Sequence, residues 1–398
     1  MKQKILLCIN SLKDIGGIST SAINLIHEIH SAYDITICIT SNYISPNYTI
    51  PPDVRIIKGS QYLRDVIIDR KYLSSQNIFQ RFRRNARRII NHYILKQKGI
   101  VYALSKIKVE GDYDIAIAFT DYRYSYSECR CFDYDVVLNN VTATRKIAWI
   151  HNDPLKLGWT RELALNRLSK FDAIVNVCEY CKDVFDKIVP ELQCKSYVVY
   201  NTYNIQEIRS KSNCEEKLYR DNEKIHFVTV ARIQVEQKRI DRIIDTCKRL
   251  KDEGVTSFDW TLVGTSPTMP ELRERVHNLE LDDYIYFAGL KPNPYPYMKQ
   301  ADAFVLTSEY EGLGMTIKES QIVETPTFVT NFGSAKEAVE RGKQGDICEN
   351  SLDGVYRMIK FLVQNPGEIL RYRNYLTEHP VDNALALSQF DIVCRIGN

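Results

Sequence analysis

The strongest constraint on the fold is an alternation of short apolar segments with longer amphipathic ones, which occurs in both halves of the chain. In the first half, segments rich in Val, Ile and aromatic residues predict buried strands at residues 4–9, 34–39, 54–57, 114–119, 146–150, 173–177 and 196–200. In the second half the same pattern predicts strands at residues 225–230, 259–263, 284–287, 303–306 and 327–330. Continuous apolar strands separated by helical segments predict parallel sheets with helices on both faces.

A polar stretch separates the two halves. Residues 204–224 are mostly polar or charged and show no strand pattern, so we interpret them as a linker. The domains are then residues 1–203 and 225–380, and we expect residues 381–398 to return to the first domain. With 398 residues the chain also exceeds the roughly 250 to 300 residues at which one core usually splits. The sequence therefore predicts two doubly wound α/β domains, with a ligand site in the cleft between them, beyond the carboxyl ends of the strands.

Composition argues against several classes of protein. The chain has 53 basic and 50 acidic side chains, and a net charge of +3 gives no sign of a nucleic-acid partner. No run approaches the about 18 apolar residues of a membrane span, and the apolar run at residues 5–9 is too short for a signal peptide. The 11 cysteines form no disulfide framework, which is typical of a reducing compartment, so we expect a cytoplasmic protein.

Two pairs of cysteines need a separate decision. Cys178 and Cys181 form a C-x-x-C motif, and Cys129 and Cys131 are also close in sequence. A redox or zinc role is disfavoured because no second pair stands at ligand spacing and no thioredoxin-like pattern surrounds either pair.

Two segments have the residue types that bind phosphate groups. Gly16 and Gly17 stand between the first strand and a helix, where glycines let backbone amides approach a phosphate or a sugar closely, although a tight turn explains the same pair equally well. Arg232 ends the strand at residues 225–230, and Lys238 stands at the head of the next helix. An Arg fork and a Lys point charge in these places could clamp a diphosphate, and a solvated basic helix start is the alternative.

The most specific pattern follows the predicted strand at residues 303–306. Glu311 and Glu319 flank Gly312 and Gly314. The glycines open the backbone at a helix head, where amides can face anionic groups, and a carboxylate two turns along can accept hydrogen bonds from two hydroxyls of a ribose. Two unrelated surface glutamates on a helix are the alternative, which the preceding strand and the glycines disfavour.

This pattern resembles the E-G-F-G-x-x-x-x-E motif of the retaining GT-B glycosyltransferases of family 4, with Leu313 in place of Phe. The resemblance implies the GT-B fold and a UDP-sugar donor. It also implies that Glu311 lies near the donor sugar, that Glu319 binds the ribose, and that Arg232 and Lys238 bind the diphosphate. The helix head would contribute Gly312, Leu313, Gly314, Met315 and Thr316 to donor binding.

Weaker blocks extend the resemblance over nearly the whole chain. They imply donor-binding roles for Gly264 at the end of a strand, for Leu290 after the segment Phe287 to Gly289, and for Asn201 at the end of the first domain. His151, in the segment Trp149 to Asp153, would face the donor sugar, although a lone histidine is more often structural. One departure is Glu324, which stands where the family has a glycine.

The resemblance also implies a mechanism without a metal ion or another cofactor. In this front-face route the diphosphate leaves and its oxygen assists deprotonation of the acceptor hydroxyl on the same face of the sugar. Two D-x-D sequences, Asp112 with Asp114 and Asp133 with Asp135, imitate the motif of metal-dependent transferases. Neither is linked to the phosphate-binding features, and Arg232 and Lys238 already provide positive charge, so we expect no metal.

The acceptor side is predicted from the first domain. Between Arg70 and Lys108 there are eleven Lys or Arg residues and no acid. Apolar residues repeat there at helical spacing, and Arg81, Arg84, Arg87 and Arg88 lie beside them. A helix over residues 78–98 is therefore expected to lie on an anionic membrane surface, while a helix packed on its own domain with a solvated basic face is the alternative.

Taken together, we expect a cytoplasmic enzyme, peripheral on the inner face of the plasma membrane. It would transfer a hexose or N-acetylhexosamine to a lipid-linked or oligosaccharide acceptor in bacterial capsule or exopolysaccharide synthesis. A nucleotide-sugar isomerase or hydrolase of the same fold and a non-catalytic sugar-nucleotide-binding scaffold remain as alternatives.

Overall fold

The computed structural model describes residues 2–12, 17–68, 77–95, 97–121, 132–220 and 223–395. The chain divides into two compact units. Unit 1 contains Met1–Tyr203 and Ala384–Asn398, and unit 2 contains Asn204–Asn383.

Unit 1 is built on a parallel sheet with the strand order β3-β2-β1-β4-β5-β6-β7. Its strands are β1 (Lys4–Ile9), β2 (Asp34–Ile39), β3 (Arg55–Lys58), β4 (Asp112–Ala118), β5 (Thr142–Ile150), β6 (Ala173–Asn176) and β7 (Ser196–Val198). Its helices before Asn204 are α1 (Gly17–Ile29), α2 (Gln61–Ile67), α3 (Ile78–Ile90), α4 (Gln97–Ser105), α5 (Phe132–Asn139), α6 (Arg161–Leu168) and α7 (Glu179–Ile188), with a π-helical turn at Asn91–Leu95 and a 3₁₀ helix at Pro190–Lys195.

Unit 2 repeats this architecture around a parallel sheet with the order β10-β9-β8-β11-β12-β13. Its strands are β8 (Ile225–Val230), β9 (Phe258–Val263), β10 (Ile285–Gly289), β11 (Ala303–Leu306), β12 (Thr327–Thr330) and β13 (Gly345–Cys348). Its helices are α8 (Ile205–Ser212), α9 (Ile240–Asp252), α10 (Met269–Asn278), α11 (Tyr295–Gln300), α12 (Met315–Ile322), α13 (Ala335–Ala338), α14 (Leu352–Gln364) and α15 (Pro366–Glu378).

The first strand shows why its sequence is apolar throughout. Successive side chains of a strand point to opposite faces. Ile5 and Leu7 of β1 pack in the core that contains α1, whereas Leu6 and Cys8 pack in the core on the other face. Since helices cover both faces of the sheet, the side chains on both faces of the strand are kept from water, and the strand is apolar throughout.

The two segments at the domain boundary both belong to packed units. Helix α8 lies within residues 204–224, the segment interpreted as a linker, and packs on α11 and α12 of unit 2. The last helix, α16 (Ala384–Cys394), packs in unit 1, where Phe390 and Val393 join the core beside α1.

Helix α3 corrects one expectation about the basic segment. Three of its arginines do not flank the apolar stripe toward lipid, because Arg84 is buried and Arg83 and Arg87 bind Asp65 of α2 at 3.3 and 2.9 Å. Asp65 is fully buried, so these guanidinium groups offset a carboxylate that would otherwise be unpaired in the protein interior. Among the described residues, no helix is both long and apolar enough to cross a bilayer.

Candidate functional site

Two loops of unit 2 are brought together because their strands are neighbours in the sheet. Strand β8 leads into the loop that carries Arg232 and Lys238, and the adjacent β11 leads into the loop that carries Glu311. Oγ1 of Thr307 donates to the carbonyl of Lys238 at 3.0 Å, and the amide of Glu309 donates to the carbonyl of Gln237 at 2.7 Å. The predicted phosphate-binding and sugar-binding segments are therefore joined by hydrogen bonds and lie side by side.

Arg232 is exposed but its side chain is held in place. Its Nη2 donates to Oε1 of Gln237 at 3.0 Å, and Nε2 of Gln237 donates to the carbonyl of Tyr310 at 3.1 Å. Gln237 is buried, so both ends of its amide are committed to these contacts. No motif in the sequence pointed to Gln237, and its position beside Lys238 was the one available signal.

Lys238 and Glu311 form an ion pair. Nζ of Lys238 lies 2.5 Å from Oε1 of Glu311, and their side chains are 13% and 9% exposed. Oγ of Ser308 donates to the same carboxylate oxygen at 2.6 Å. An ammonium group has three N–H donors, so Lys238 keeps donors for a ligand while it holds Glu311.

A second set of contacts fixes the start of α9. Arg239, the residue before the helix, has a left-handed backbone with φ of 50°. Its guanidinium lies 3.1 Å from Glu309, and the guanidinium of the buried Arg242 lies 2.8 Å from the same carboxylate. The helix therefore begins at Ile240, and Lys238, which was predicted at the head of the helix, lies in the preceding turn. Glu309 and Arg242 were not identified from the sequence, because their pairing depends on strand neighbours that are far apart in sequence.

The head of α12 favours a glycine. Gly314 caps the helix with φ of 73°, and a Cβ there would lie 2.8 Å from Cδ1 of Ile317. The predicted donor-binding residues Gly312, Leu313, Met315 and Thr316 surround this cap.

Glu319 lies about one turn into α12 and is buried at 7% exposure. Burial away from water raises the pKa of its carboxyl to about 7. The carboxyl group of Glu319 thus ionises near neutral pH, and the carboxylate could then accept hydrogen bonds from the hydroxyls of a ligand.

Gly264 and Leu290 follow strands on the other side of β8. A Cβ on Gly264, whose φ is 146°, would lie 1.8 Å from the carbonyl oxygen of Ala231, so only glycine lets the ends of β8 and β9 approach. The amide of Gly264 donates to the carbonyl of Gly289 at 2.9 Å, and Leu290 next to it is exposed. These residues line the same carboxyl edge of the sheet as Arg232.

In unit 1, helix α1 connects the segments that contain two predicted site residues, Gly17 and Asn201. Gly17 is the first residue of α1, and Ser21 in that helix donates to Oδ1 of Asn201 at 2.7 Å. The head of α1 and the end of the first domain's chain are thus adjacent. Gly16 lies outside the described residues.

His151 follows β5 and is held by its neighbours. Its amide donates to Oδ1 of Asp121 at 2.5 Å, and its Nε2 lies 2.7 Å from the carbonyl of Phe119. Since a carbonyl only accepts, Nε2 carries the proton and Nδ1 is left as an acceptor. Burial lowers the pKa of His151 to about 4, so its ring is neutral at physiological pH.

The D-x-D sequences have structural contacts. Asp114 accepts a hydrogen bond from the amide of Lys4 at 2.7 Å, and Asp133 accepts one from the amide of Thr120 at 2.6 Å. Desolvation raises the pKa of Asp133 to about 7, and Asp135 pairs with Arg167 at 3.4 Å. In the described part of the chain, no three His, Cys, Asp or Glu side chains group as metal ligands would.

The C-x-x-C sequence also has a structural role. Sγ of Cys178 accepts from the amide of Cys181 and so caps α7 at its amino end. Both side chains are buried, and the contact with Cys178 together with burial raises the pKa of the Cys181 thiol. A thiol with a raised pKa is a poor nucleophile, which disfavours redox chemistry. Cys129 and Cys131 lie outside the described residues.

The sequence of unit 2 matches a known family. Residues 210–378 match the family described as glycosyl transferases group 1. This match covers less than half of the chain and lies within unit 2. The matched residues include Arg232, Gln237, Lys238, Glu311 and Glu319, so the resemblance of the motifs to those of glycosyltransferases is confirmed.

Individual relatives are similar over part of the chain. An uncharacterized glycosyltransferase, MJ1059 of Methanocaldococcus jannaschii, is 26% identical over 198 residues, which cover 47% of this chain and 48% of the relative. A putative colanic acid biosynthesis glycosyltransferase, WcaL of Salmonella typhimurium, is 30% identical over 129 residues, or 30% of this chain and 31% of the relative. The chain thus spans about half or less of the curated relatives it matches.

A solved structure is similar over nearly the whole chain. The Anabaena protein Alr3699/HepE, crystallised with UDP and glucose, superposes with a TM-score of 0.66 and 14% identity, covering 98% of this chain and 96% of that one. The predicted fold, two Rossmann-like α/β domains of the GT-B type, is confirmed.

Proposed function

We propose that this protein is a retaining glycosyltransferase that moves a hexose or N-acetylhexosamine from a UDP-sugar to a saccharide acceptor in surface polysaccharide synthesis. The observation that carries the proposal is the interlocked pair of loops in unit 2. In it, Arg232 is held by Gln237, and Lys238 is held by Glu311. Two cations fixed at the carboxyl edge of a parallel sheet are suited to a diphosphate.

The donor is assigned to unit 2. Arg232 and Lys238 would bind its diphosphate together with the amides at the head of α12, and Glu319 would accept hydrogen bonds from the ribose hydroxyls. The segment after Gly289 would hold the base through its backbone. Of the solved neighbours, the Anabaena protein has been crystallised with UDP and glucose, which supports a UDP-sugar for this chain.

The proposed reaction needs no metal ion. The bond between the anomeric carbon and the diphosphate oxygen breaks, and its electron pair stays on the diphosphate. The acceptor oxygen bonds to the anomeric carbon on the same face, and its proton passes to the departing diphosphate. Arg232 and Lys238 stabilise the negative charge that grows on the leaving group, which is the main contribution of the protein to the rate.

The acceptor is assigned to a lipid-linked saccharide. The Salmonella relative is named for colanic acid biosynthesis, which supports a polysaccharide pathway. We further propose that the protein acts in the cytoplasm, peripheral on the inner face of the plasma membrane. In unit 1, neutral His151 would accept a hydrogen bond from a sugar hydroxyl through Nδ1.

A donor screen followed by kinetics tests this proposal. Thermal shift with UDP-, GDP- and TDP-sugars should single out a UDP-sugar, because a ligand that binds only the folded state raises stability. Arg232→Ala should then lower turnover about a hundredfold, while donor affinity changes much less, because the charge on the diphosphate grows in the transition state. Arg341→Ala, which removes an exposed arginine paired with Asp346 elsewhere in unit 2, is the matched control.

The outcomes separate the alternatives. Retained configuration in the product and full activity in EDTA support the proposal. Release of free sugar without any acceptor would indicate a hydrolase, and donor binding without turnover would indicate a scaffold. An inverted linkage, or activity lost to EDTA and restored by Mn²⁺, would overturn the mechanism.

A further inference from the structure

The outward face of α3 and of the turn that follows it is apolar. Its large side chains are exposed, with Phe79 at 82%, Phe82 at 77% and Ile94 at 73%. We define the docking face by these exposed residues: Ile78, Phe79, Phe82, Ile89, Ile90, Tyr93 and Ile94. A contiguous apolar surface of this kind marks a place where something else binds.

The polarity of this helix is inverted. Helix α3, which is described in full, buries a single side chain, that of Arg84. Arg83 and Arg87 bind the buried carboxylate of Asp65, and Arg88 donates to the carbonyl of Asp65 at 2.9 Å and to that of Ile68. The arginines therefore hold the helix on unit 1, and its apolar residues face solvent.

The helix is also fixed at both ends. Asn77 and Gln80 form a capping box at its start, and Tyr62 of α2 donates to Asn91 just after its end at 2.9 Å. A helix anchored in this way presents its apolar face without first having to fold on the partner, so the ordering entropy of binding is small.

We infer that the docking face inserts into the interfacial region of an anionic lipid bilayer. The inference of membrane binding rests on the proposed function only in explaining why the protein binds a membrane, since a lipid-linked acceptor would be found at that surface. Insertion of the apolar side chains provides the binding energy, and the arginines of α3 that contact α2 serve as internal anchors.

Charge around the docking face favours a bilayer. Arg81, Lys98, Lys106 and Lys108 are exposed, and no acid occurs between Arg70 and Lys108. Each basic group near an anionic surface adds roughly 1 kcal/mol to binding.

The single-helix form and the aromatic residues of the docking face also favour a bilayer as the partner. An exposed helix face needs no complementary groove to bind a bilayer, because lipid tails accept apolar side chains without matched shape. Tyr93 in the docking face and Tyr102 of α4 are exposed, and Nζ of Lys106 lies 5.0 Å from the ring of Tyr102. Tyrosine with lysine is typical of residues at the membrane interface.

Vesicle binding of the full chain tests the inference. Wild-type protein should sediment with vesicles of phosphatidylglycerol and phosphatidylcholine. Phe79→Ser with Phe82→Ser and Ile94→Ser should lower the partition coefficient at least about tenfold. The matched control replaces three apolar residues that are exposed elsewhere, Phe361, Leu370 and Leu385, by Ser and should bind as wild type does.

Two further measurements identify how the face binds. Phe79→Trp should show a blue-shifted tryptophan emission with vesicles, because the indole enters an apolar environment. Arg81→Glu with Lys98→Glu should weaken binding to the anionic vesicles, and added salt should remove that part of the binding while apolar insertion remains.

Three results would overturn the inference: no binding of the wild type, equal binding of the triple serine variant, or a dimer in solution that this variant dissociates while neither form binds vesicles. Thermal unfolding of each variant checks that it is folded. Transfer to a water-soluble saccharide acceptor is measured in parallel. It reports on the proposed function independently, since the docking face lies outside the donor site.

Discussion

At the residue scale, Gln237 links the two loops that carry the proposed chemistry. Gln237→Leu keeps the side chain's size but removes the acceptor for Arg232 and the donor for Tyr310. Arg232 would then sample several orientations, and we expect kcat to fall roughly tenfold with a smaller change in the KM for the donor. Steady-state kinetics with saturating acceptor measures both constants.

The comparison variant is Gln237→Glu. A carboxylate still accepts from Arg232 but cannot donate to the carbonyl of Tyr310, so it should recover most of kcat at some cost in stability. If Gln237→Leu instead lost stability and kept its kcat, Gln237 would be structural and would have no part in positioning Arg232.

Glu319 makes the protein sensitive to pH. Its pKa is raised from 4.5 to about 7, so the folded protein holds its proton more tightly than the unfolded chain does. The stability gained from that proton is present below pH 4.5 and is lost as the pH rises to 7. Relative to Glu319→Gln, the unliganded wild type should lose roughly 3 kcal/mol of unfolding free energy between pH 4.5 and 8. Urea denaturation of both proteins across this range measures the difference.

The same ionisation should control the donor. Affinity for a UDP-sugar, measured by calorimetry, is expected to rise between pH 6 and 8 in the wild type, because the ionised carboxylate is a stronger hydrogen-bond acceptor for hydroxyls than the protonated carboxyl. In Glu319→Gln it should stay flat. If the affinities of the two proteins changed with pH in the same way, Glu319 would not be the residue that binds the ribose.

Sequence motifs identified individual residues of the site but not the contacts between them. Arg232, Lys238, Glu311 and Glu319 were chosen by residue type and spacing, and the fold places them on two adjacent loops and on α12. Their partners were missed because Gln237 and Glu309 gain their roles only when β8 and β11 become neighbours. That pairing joins residues about seventy positions apart, as in the bond from Gln237 to Tyr310.

At the scale of elements, the end of α12 explains the departure at Glu324. The amide of Glu324 donates to the carbonyl of Gln321, and that of Thr325 donates to the carbonyl of Ser320. This is the Schellman pattern, in which the residue after the helix cap is left-handed and is usually glycine. Glu324 has φ of 64°, so this chain makes the left-handed turn without a glycine.

This geometry predicts that Glu324→Gly is stabilising. Release of the left-handed strain should raise the unfolding free energy by about 1 kcal/mol, measured by urea denaturation. Glu274→Gly inside α10 is the control and should lower it by about 1 kcal/mol, since glycine in a helix interior is destabilising. A loss of stability in Glu324→Gly would mean that contacts of the glutamate side chain outweigh the strain.

Helix α3 shows where sequence periodicity stops being informative. The spacing of its apolar residues predicts a helix with two faces, and the structure has that helix. Periodicity does not say which face is buried, and the usual assumption places the apolar face inside. Here the choice is made by Asp65, a carboxylate on α2 that binds the arginines of α3.

At the scale of the whole molecule, buried parallel strands were the most predictable feature. Strands such as β1, β8 and β11 were located to the residue, since a strand covered on both faces must be apolar. Strand β13 was missed because its four residues, Gly345–Cys348, carry a glycine and an aspartate in place of an apolar run. Its pairing with β12 depends on Gly345, where a Cβ would lie 1.7 Å from the carbonyl oxygen of Thr327.

The last helix lets unit 1 be tested separately from unit 2. Phe390 of α16 is 1% exposed in the core beside α1, and Tyr33 donates to Asp391 of the same helix at 2.8 Å. Phe390→Ala should therefore destabilise unit 1 by roughly 3 kcal/mol through lost burial and a residual cavity. Unit 2 ends at Asn383, so UDP affinity and the unfolding of unit 2 should not change.

Differential scanning calorimetry with and without UDP measures both effects. The transition that UDP raises belongs to unit 2 and should stay in place, while the other transition should move to lower temperature. Leu385→Ala is the control, because that side chain lies on α16 but is exposed, and it should shift neither transition by more than about 0.5 kcal/mol. If Phe390→Ala lowered the UDP-sensitive transition instead, α16 would contribute to the stability of unit 2, and the assignment of the donor and of α16 to separate units would be wrong.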